Sequence, residues 1–241
     1  MKSFSIFKIF GIRIDVHPTF FLLPLGFGIF YAKDYGWEIG LRVCVLIFLV
    51  FLCVLGHELT HSLKAMSFGI RVPQITLYPM GGVASLQRIP RDPHQEFSIS
   101  IVGPLFNFAL AAILFFPLYF CIGKENLFSP SLESWPRTFA NLFWLNPILG
   151  LFNLIPAFPM DGGRIFRSLL ARRMDYVKAT RISVFLGVIF AILFSLLALY
   201  WKHAMLFLVA LFVYFSGARE KSQVLREEAL KKRLETHEST S

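Results

Sequence analysis

A cluster of ionisable residues stands at the end of a long apolar stretch in this chain. The stretch from Val43 to Gly56 contains no charged residue, and His57, Glu58 and His61 follow it directly. A charged side chain at the depth of a lipid bilayer costs about 3 kcal/mol or more. An apolar segment therefore keeps such residues only where a strong interaction compensates for that cost, and a bound metal ion is the obvious candidate.

The composition indicates an integral membrane protein located in a cell membrane. The chain has 241 residues, of which 56% are hydrophobic and 16% are charged, whereas soluble domains carry about 25% charged residues. The net charge of +9 could suggest nucleic-acid binding. However, the basic residues lie in the predicted loops and tails, where they orient membrane spans, so we expect the partner of these surfaces to be the lipid bilayer and not nucleic acid.

The hydrophobic pattern predicts an all-α polytopic membrane protein with about six transmembrane helices. These helices are expected at residues 17–31, 41–65, 97–122, 139–155, 182–201 and 203–215. Only Lys202 separates the last two, which requires a tight turn. A single helix over both stretches is the alternative, but it would be too long for a bilayer without extreme tilt. We expect residues 1–217 to form the membrane domain and residues 218–241 to form a short, charged cytosolic tail.

The distribution of charge predicts the orientation in the membrane. Loops rich in lysine and arginine alternate with loops in which the charges balance, and the positive-inside rule then places both termini in the cytosol. Spans two and four run in the same direction in this arrangement. The ends of these spans carry residues 56–61 and residues 153–163, so we expect the two polar segments at a similar depth on the same side.

The spacing of the two histidines predicts a metal site on a helix. Residues four apart lie on one helix face, so the imidazoles of His57 and His61 can reach one ion. Glu58 flanks the same face without being required as a ligand. A His-Glu-x-x-His helix supplies two ligands and a general base, and one zinc ion is the expected cofactor.

A catalytic zinc site needs a third protein ligand, and Asp161 is the leading candidate. Glu96 and His94 are alternatives, although both are expected near the level of the lipid headgroups. Cys53 lies one turn before His57 and could approach the ion, but a buried cysteine more often has a structural role.

The residues around Asp161 predict irregular backbone. Pro156 and Pro159 cannot continue a regular helix, and Gly162 and Gly163 permit sharp turns. At membrane depth such backbone persists only where it packs against protein or lines a wet cavity. A simple turn at the end of a helix is the alternative to a functional site.

Together these motifs resemble the site-2 protease family of intramembrane zinc metalloproteases. The resemblance rests on Gly56-His57-Glu58-Leu59-Thr60-His61 and on Asn153-x-x-Pro156-x-x-Pro159-x-Asp161-Gly162-Gly163. Gly103-Pro104-x-x-Asn107 and the segment from Gly11 to Pro18 agree with compact bacterial and archaeal members. Between the spans there is no room for an inserted PDZ domain, and residues 218–241 are too few for a pair of CBS domains.

The resemblance implies regulated intramembrane proteolysis, in which a peptide bond in or near the transmembrane segment of a membrane-protein substrate is hydrolysed. It implies His57, His61 and Asp161 as zinc ligands and Glu58 as the catalytic acid and base. Asn153 would hold the substrate or stabilise the oxyanion. A single-pass or other membrane protein is the expected substrate.

A short β-hairpin or re-entrant segment is expected between spans two and three. Residues 72–78 and 83–86 read as two β-like segments around the turn at residues 79–82. We hypothesise that this hairpin captures an unwound substrate as an added strand along Val83, Ala84 and Ser85. An ordinary interfacial loop is the alternative.

Other functions and roles remain open at this point. The chain could be a zinc transporter or another metal-binding membrane protein, but it shows no internal repeat, and Glu58 has no role in simple metal binding. A homologue without activity that serves as a scaffold is a third possibility, against which the intact Glu58 argues. His17 is expected at the membrane interface, and Asn107 is expected to aid close helix packing.

Overall fold

The computed structural model describes residues 3–88 and 90–240, which form helices and one small β-sheet. A 3₁₀ helix, Pro18–Phe21, precedes the first α-helix. The elements are β1 (Phe4–Ile9), β2 (Ile12–Val16), α1 (Leu22–Tyr35), α2 (Trp37–Ser67), β3 (Gln74–Tyr78), β4 (Gly81–Ser85), α3 (Pro93–Leu127), α4 (Trp135–Asn153), α5 (Asp161–Ala171), α6 (Tyr176–Tyr200) and α7 (Ala204–Thr240).

The chain forms two compact units. The first comprises residues 1–89 and 102–151, and the second comprises residues 90–101 and 152–241. Helix α3 contributes its first turns to the second unit and the remainder to the first. In the first unit, α1 and α2 pack closely because Gly28 and Gly40 face each other, and a Cβ on Gly40 would lie 2.5 Å from the Gly28 carbonyl oxygen.

The described residues contain three helices that are long and apolar enough to cross a membrane, namely α2, α3 and α6. The largely helical membrane fold is therefore confirmed, but six crossings are not. Helix α1 has 14 residues and is about 21 Å long, which is short of the roughly 30 Å hydrocarbon layer. Large apolar side chains such as Leu52, Ile113 and Leu196 are exposed on the candidate spans, as is typical of surfaces that face lipid.

The sheet is larger than the hairpin that was predicted from the sequence. Its order is β1-β2-β3-β4, with β1–β2 and β3–β4 antiparallel and β2–β3 parallel. Strands β1 and β2 meet at Phe10 and Gly11, which both have positive φ, as a two-residue type I′ hairpin turn requires. The predicted fold class, all-α with one short hairpin, is thus corrected to mainly α-helical with a four-stranded sheet, in which β4 is an edge strand.

The sheet packs on helix α2 in the first unit. Val16 of β2 and Leu77 of β3 share a buried apolar cluster with Phe20 and with Phe51 of α2. Strand β4 also contacts α2. The sheet is therefore held beside the helix that carries His57 and His61.

Helices α6 and α7 form a hairpin in the second unit. The chain turns at residues 201–203, where Lys202 has a φ of 52°, so the tight turn is confirmed and a single long helix is excluded. Helix α7 continues without a break from the apolar stretch into the charged tail. Ser241, at the end of the predicted tail, lies outside the described residues.

Candidate metal centre

Helix α2 brings two imidazole rings together. The Nε2 atoms of His57 and His61 are 3.0 Å apart, and the ring planes are nearly perpendicular at 79°. Zinc lies about 2.0–2.1 Å from each histidine nitrogen that binds it, so two ligand nitrogens on one ion stand close together. The spacing and convergence of these two nitrogens match that requirement.

A glycine on helix α3 makes room for the histidine pair. A Cβ on Gly103 would lie 2.2 Å from His61 Nε2 and 2.7 Å from His57 Cε1. Real side chains do not approach this closely, so any larger residue would displace the rings. Gly103 therefore packs closely against the imidazoles themselves.

Asn107, one turn further along α3, contacts His57 directly. Its Oδ1 lies 2.5 Å from His57 Nδ1, and its side chain is buried. From the sequence we expected Asn107 to aid helix packing, and we did not predict this contact. Only the Gly-Pro-x-x-Asn motif pointed to this position, and that motif alone does not indicate which residue the asparagine meets.

Glu58 is half-buried and lies against strand β4. A Cβ on Gly82 would lie 2.6 Å from Glu58 Cγ, so the absence of a side chain at Gly82 leaves space for the glutamate. The residue predicted as general base therefore lies beside the edge strand that was predicted to bind substrate. Val83, Ala84 and Ser85, the predicted substrate contacts, all belong to that strand.

The second motif of the sequence, residues 153–163, lies in the second unit. Asn153 is half-buried and ends α4, and Asp161 is the first residue of α5 after an irregular loop. A carboxylate in the first turn of a helix is stabilised by the helix dipole. Gly162 and Gly163 have ordinary φ angles, so their role is not the sharp turn that we expected.

Close packing explains these two glycines instead. A Cβ on Gly162 would lie 2.3 Å from the carbonyl oxygens of Leu154 and Ile155, and one on Gly163 would lie 2.8 Å from the backbone of Ala157. Without side chains, the first turn of α5 can pack directly on the loop that precedes it. The two glycines thereby define where Asp161 stands relative to that loop.

The candidate metal ligands among the described residues are His57 and His61, which belong to the first unit, and Asp161, which belongs to the second. Two imidazoles and one carboxylate are a donor set that fits catalytic zinc and leaves a coordination position open. Neither His94 nor Cys53 belongs to the group.

Glu96, the other alternative ligand, has a different role in the second unit. It accepts a hydrogen bond of 3.0 Å from Nε of Arg167, which is fully buried on α5, and Arg167 also donates one of 2.6 Å to Glu220 on α7. Burial alone would lower the pKa of Arg167, but the two carboxylates raise it above its usual value. This ion cluster holds α5, the helix that begins with Asp161, against α3 and α7.

The fold and these side chains define a membrane metalloprotein with a His-Glu-x-x-His helix. The chain belongs to Peptidase family M50, which matches it over residues 45–194. The family suspected from the motifs is thereby confirmed. Zinc is the cofactor that the family and the donor set imply.

The similar proteins agree with this family assignment. A site-2 protease from Methanocaldococcus jannaschii superposes with a TM-score of 0.66 at 36% identity, covering 91% of this chain and 95% of that one. A zinc metalloprotease of the same organism is 37% identical over 235 residues, which are 96% of this chain and 64% of that protein. Stage IV sporulation protein FB of Bacillus subtilis is 28% identical over 76% of this chain and 56% of its own length. The chain spans less than two thirds of either curated relative.

Proposed function

We propose that this chain is an intramembrane zinc metalloprotease. It hydrolyses a peptide bond in or near the transmembrane segment of a membrane-protein substrate. The observation that carries the proposal is the pair of His57 and His61, whose Nε2 atoms lie 3.0 Å apart, with Glu58 beside them on the same helix. Membership of Peptidase family M50 supports it.

The mechanism follows from the chemistry of these side chains. His57, His61 and Asp161 hold the zinc ion, which when bound polarises a carbonyl group and lowers the pKa of a water molecule. Glu58 accepts the proton of the attacking water and then delivers it to the nitrogen of the leaving amine. Asn153 donates a hydrogen bond to the carbonyl oxygen of the scissile bond as negative charge develops on it.

The membrane layout is part of the proposal. In addition to α2, α3 and α6, the helices α1, α4 and the apolar part of α7 lie within the bilayer, which gives six spans. Both termini lie in the cytosol, as the distribution of basic loop residues indicates. The reaction then takes place toward the cytosolic ends of α2 and α4.

Strand β4 is the proposed binding edge for the unwound substrate. The two-residue turn at Pro79 and Met80 makes Tyr78–Gly81 a hydrogen-bonded pair. Non-hydrogen-bonded and hydrogen-bonded pairs then alternate along the hairpin. The backbone N–H and C=O groups of Gly82 and Ala84 consequently point to the open edge. Since Gly82 contacts Glu58, a strand added here would pass beside the proposed general base.

Substitution of Ala84 with proline tests this edge. Because the Ala84 N–H points away from β3, proline should remove one donor to the substrate and leave the hairpin paired. We expect cleavage to fall about tenfold, on the order of one lost buried hydrogen bond, with the zinc content unchanged. The measurement is the initial rate of cleavage of a single-pass substrate in proteoliposomes.

The matched control is proline at Ile6, the bulged residue of β1 at the opposite edge of the same sheet. Ile6→Pro should cleave at the wild-type rate. Equal rates for Ala84→Pro and wild type would contradict the proposed substrate strand. Thr76 is not suitable for this purpose, because it is buried in the inner strand β3 and proline there would break the sheet.

The same proteoliposomes test the function itself. We expect cleavage of the substrate by the wild-type protein, loss of cleavage when a chelator removes zinc, and recovery when zinc is restored. A fluorescent zinc indicator inside the vesicles should report no flux. Zinc flux without cleavage would instead support the alternative function, a zinc transporter.

A further inference from the structure

We propose that Asn107 and Asn146 are positioning residues, which fix the ring of His57 through a directional chain of hydrogen bonds. The inference rests on the proposed function, in which His57 is a zinc ligand. It adds a role for two amide side chains that the mechanism above does not use. All the residues that take part in these hydrogen bonds lie in the first unit of the structure.

The chain of contacts is continuous and buried. His57 Nδ1 lies 2.5 Å from Asn107 Oδ1, and Asn107 Nδ2 donates to Asn146 Oδ1 at 3.0 Å. Asn146 Nδ2 donates to the Leu142 carbonyl oxygen at 2.7 Å and to Cys53 Sγ at 3.4 Å. Asn107 and Asn146 are each only 1% exposed. Helices α2, α3 and α4 are thus linked through one polar path.

The Leu142 carbonyl group fixes the direction of this path. A carbonyl oxygen can only accept, so the Asn146 amide must present its NH₂ group to Leu142 and its oxygen to Asn107. Asn107 must then present its own NH₂ group to Asn146 and its oxygen to His57. His57 Nδ1 therefore carries the proton and donates it, which leaves the lone pair on Nε2.

This direction is the one that a metal ligand needs. The Nε2 atom of His57 is the atom that lies 3.0 Å from His61 Nε2, so the lone pair belongs to the nitrogen within the metal group. Histidine ligands usually donate their other N–H to a fixed acceptor, and loss of that acceptor costs about 10–100-fold in metal affinity. Packing between helices could be achieved by apolar residues without this polarity.

The test compares variants of purified full-length protein. Asn107→Leu removes the acceptor but keeps the number and branching of the side chain's heavy atoms, whereas Asn107→Asp keeps an oxygen that can accept from His57. The control is Asn141→Leu on α4, the helix that carries Asn146. Like Asn146, Asn141 donates to the carbonyl group of the residue four positions earlier, but it lies outside the path. His57→Ala tests the underlying ligand assignment.

The primary measurement is the zinc dissociation constant from competition with a chromophoric chelator. The absorption spectrum of the cobalt-substituted protein gives a second readout that loss of stability alone would not move. We expect Asn107→Leu to weaken zinc binding about 10–100-fold and to alter the cobalt spectrum. Asn107→Asp should bind zinc more tightly than Asn107→Leu, and Asn141→Leu should match the wild type.

The outcomes separate this inference from the function on which it rests. If His57→Ala loses zinc while Asn107→Leu binds it like the wild type, the positioning role is wrong and the ligand assignment stands. Equal losses in Asn107→Leu and Asn107→Asp would also overturn the positioning role. If His57→Ala retains zinc, both fail. Should Asn107→Leu not accumulate in membranes, Asn146→Leu decides by the same criteria, with weaker zinc binding expected.

Discussion

Glu58→Gln is expected to lower the rate of substrate cleavage by about 10²–10⁴-fold, which is the usual contribution of a general acid and base. Glutamine has nearly the same shape as glutamate, but it cannot accept the proton of the attacking water. The zinc ligands remain, so the zinc content should stay at the wild-type value. Cleavage in proteoliposomes and metal analysis of the same preparation measure both quantities.

The matched control for this substitution is Glu38→Gln on the same helix. Glu38 is exposed and pairs with Arg42 one turn away, so the same chemical change there should leave both cleavage and zinc content unaltered. If Glu58→Gln cleaved the substrate at a rate close to that of wild type, Glu58 would not be the general base. If the variant lost zinc, Glu58 would act as a ligand instead.

Gly103→Ala is expected to abolish detectable zinc binding at micromolar zinc. The new methyl group would lie 2.2 Å from His61 Nε2 and 2.7 Å from His57 Cε1, so both rings must leave their positions. The effect should exceed that of losing a neighbouring hydrogen bond, because the two ligands are displaced together. Metal analysis after equilibrium dialysis measures it, and cleavage should be lost in parallel.

Two further glycines serve as controls for Gly103→Ala. Gly26 on α1 has open space where a Cβ would lie, so Gly26→Ala should bind zinc and cleave like the wild type. Gly82→Ala presses on Glu58 and not on the ligands, so it should lower cleavage while zinc remains bound. Wild-type zinc affinity in Gly103→Ala would show that the histidine rings do not need the positions described here.

The candidate site was the part of the molecule most visible in the sequence. Charged residues are costly in an apolar helix, so His57, His61 and Glu58 could be predicted as site residues from the sequence alone. Asp161 stood out because proline and glycine surround it. The contact between His57 and Asn107 could not be foreseen, since a hydrogen bond between residues 50 positions apart leaves no pattern in either helix.

The fold was less predictable, for physical reasons that particular elements show. Strand β1 is exposed on both faces, so its sequence lacks the alternation that marks a half-buried strand. Helix α4 contains Asn141, Asn146 and Pro147, which lower its hydropathy below that of a typical span. The apolar part of α7 leads directly into Arg219, Glu220 and Lys221, so hydropathy alone does not define where a span would end.

Zinc X-ray absorption spectroscopy of the purified protein tests the central claim most directly, because it reports the atoms that surround the ion. We predict one zinc per chain with two imidazole nitrogens and a carboxylate oxygen from the protein, and with ligand distances of about 2.0–2.2 Å. Asp161→Ala should lose the carboxylate contribution and bind zinc more weakly. A zinc–sulfur distance near 2.3 Å would implicate a cysteine such as Cys53, and an unchanged spectrum in Asp161→Ala would exclude Asp161. Either result would contradict the account.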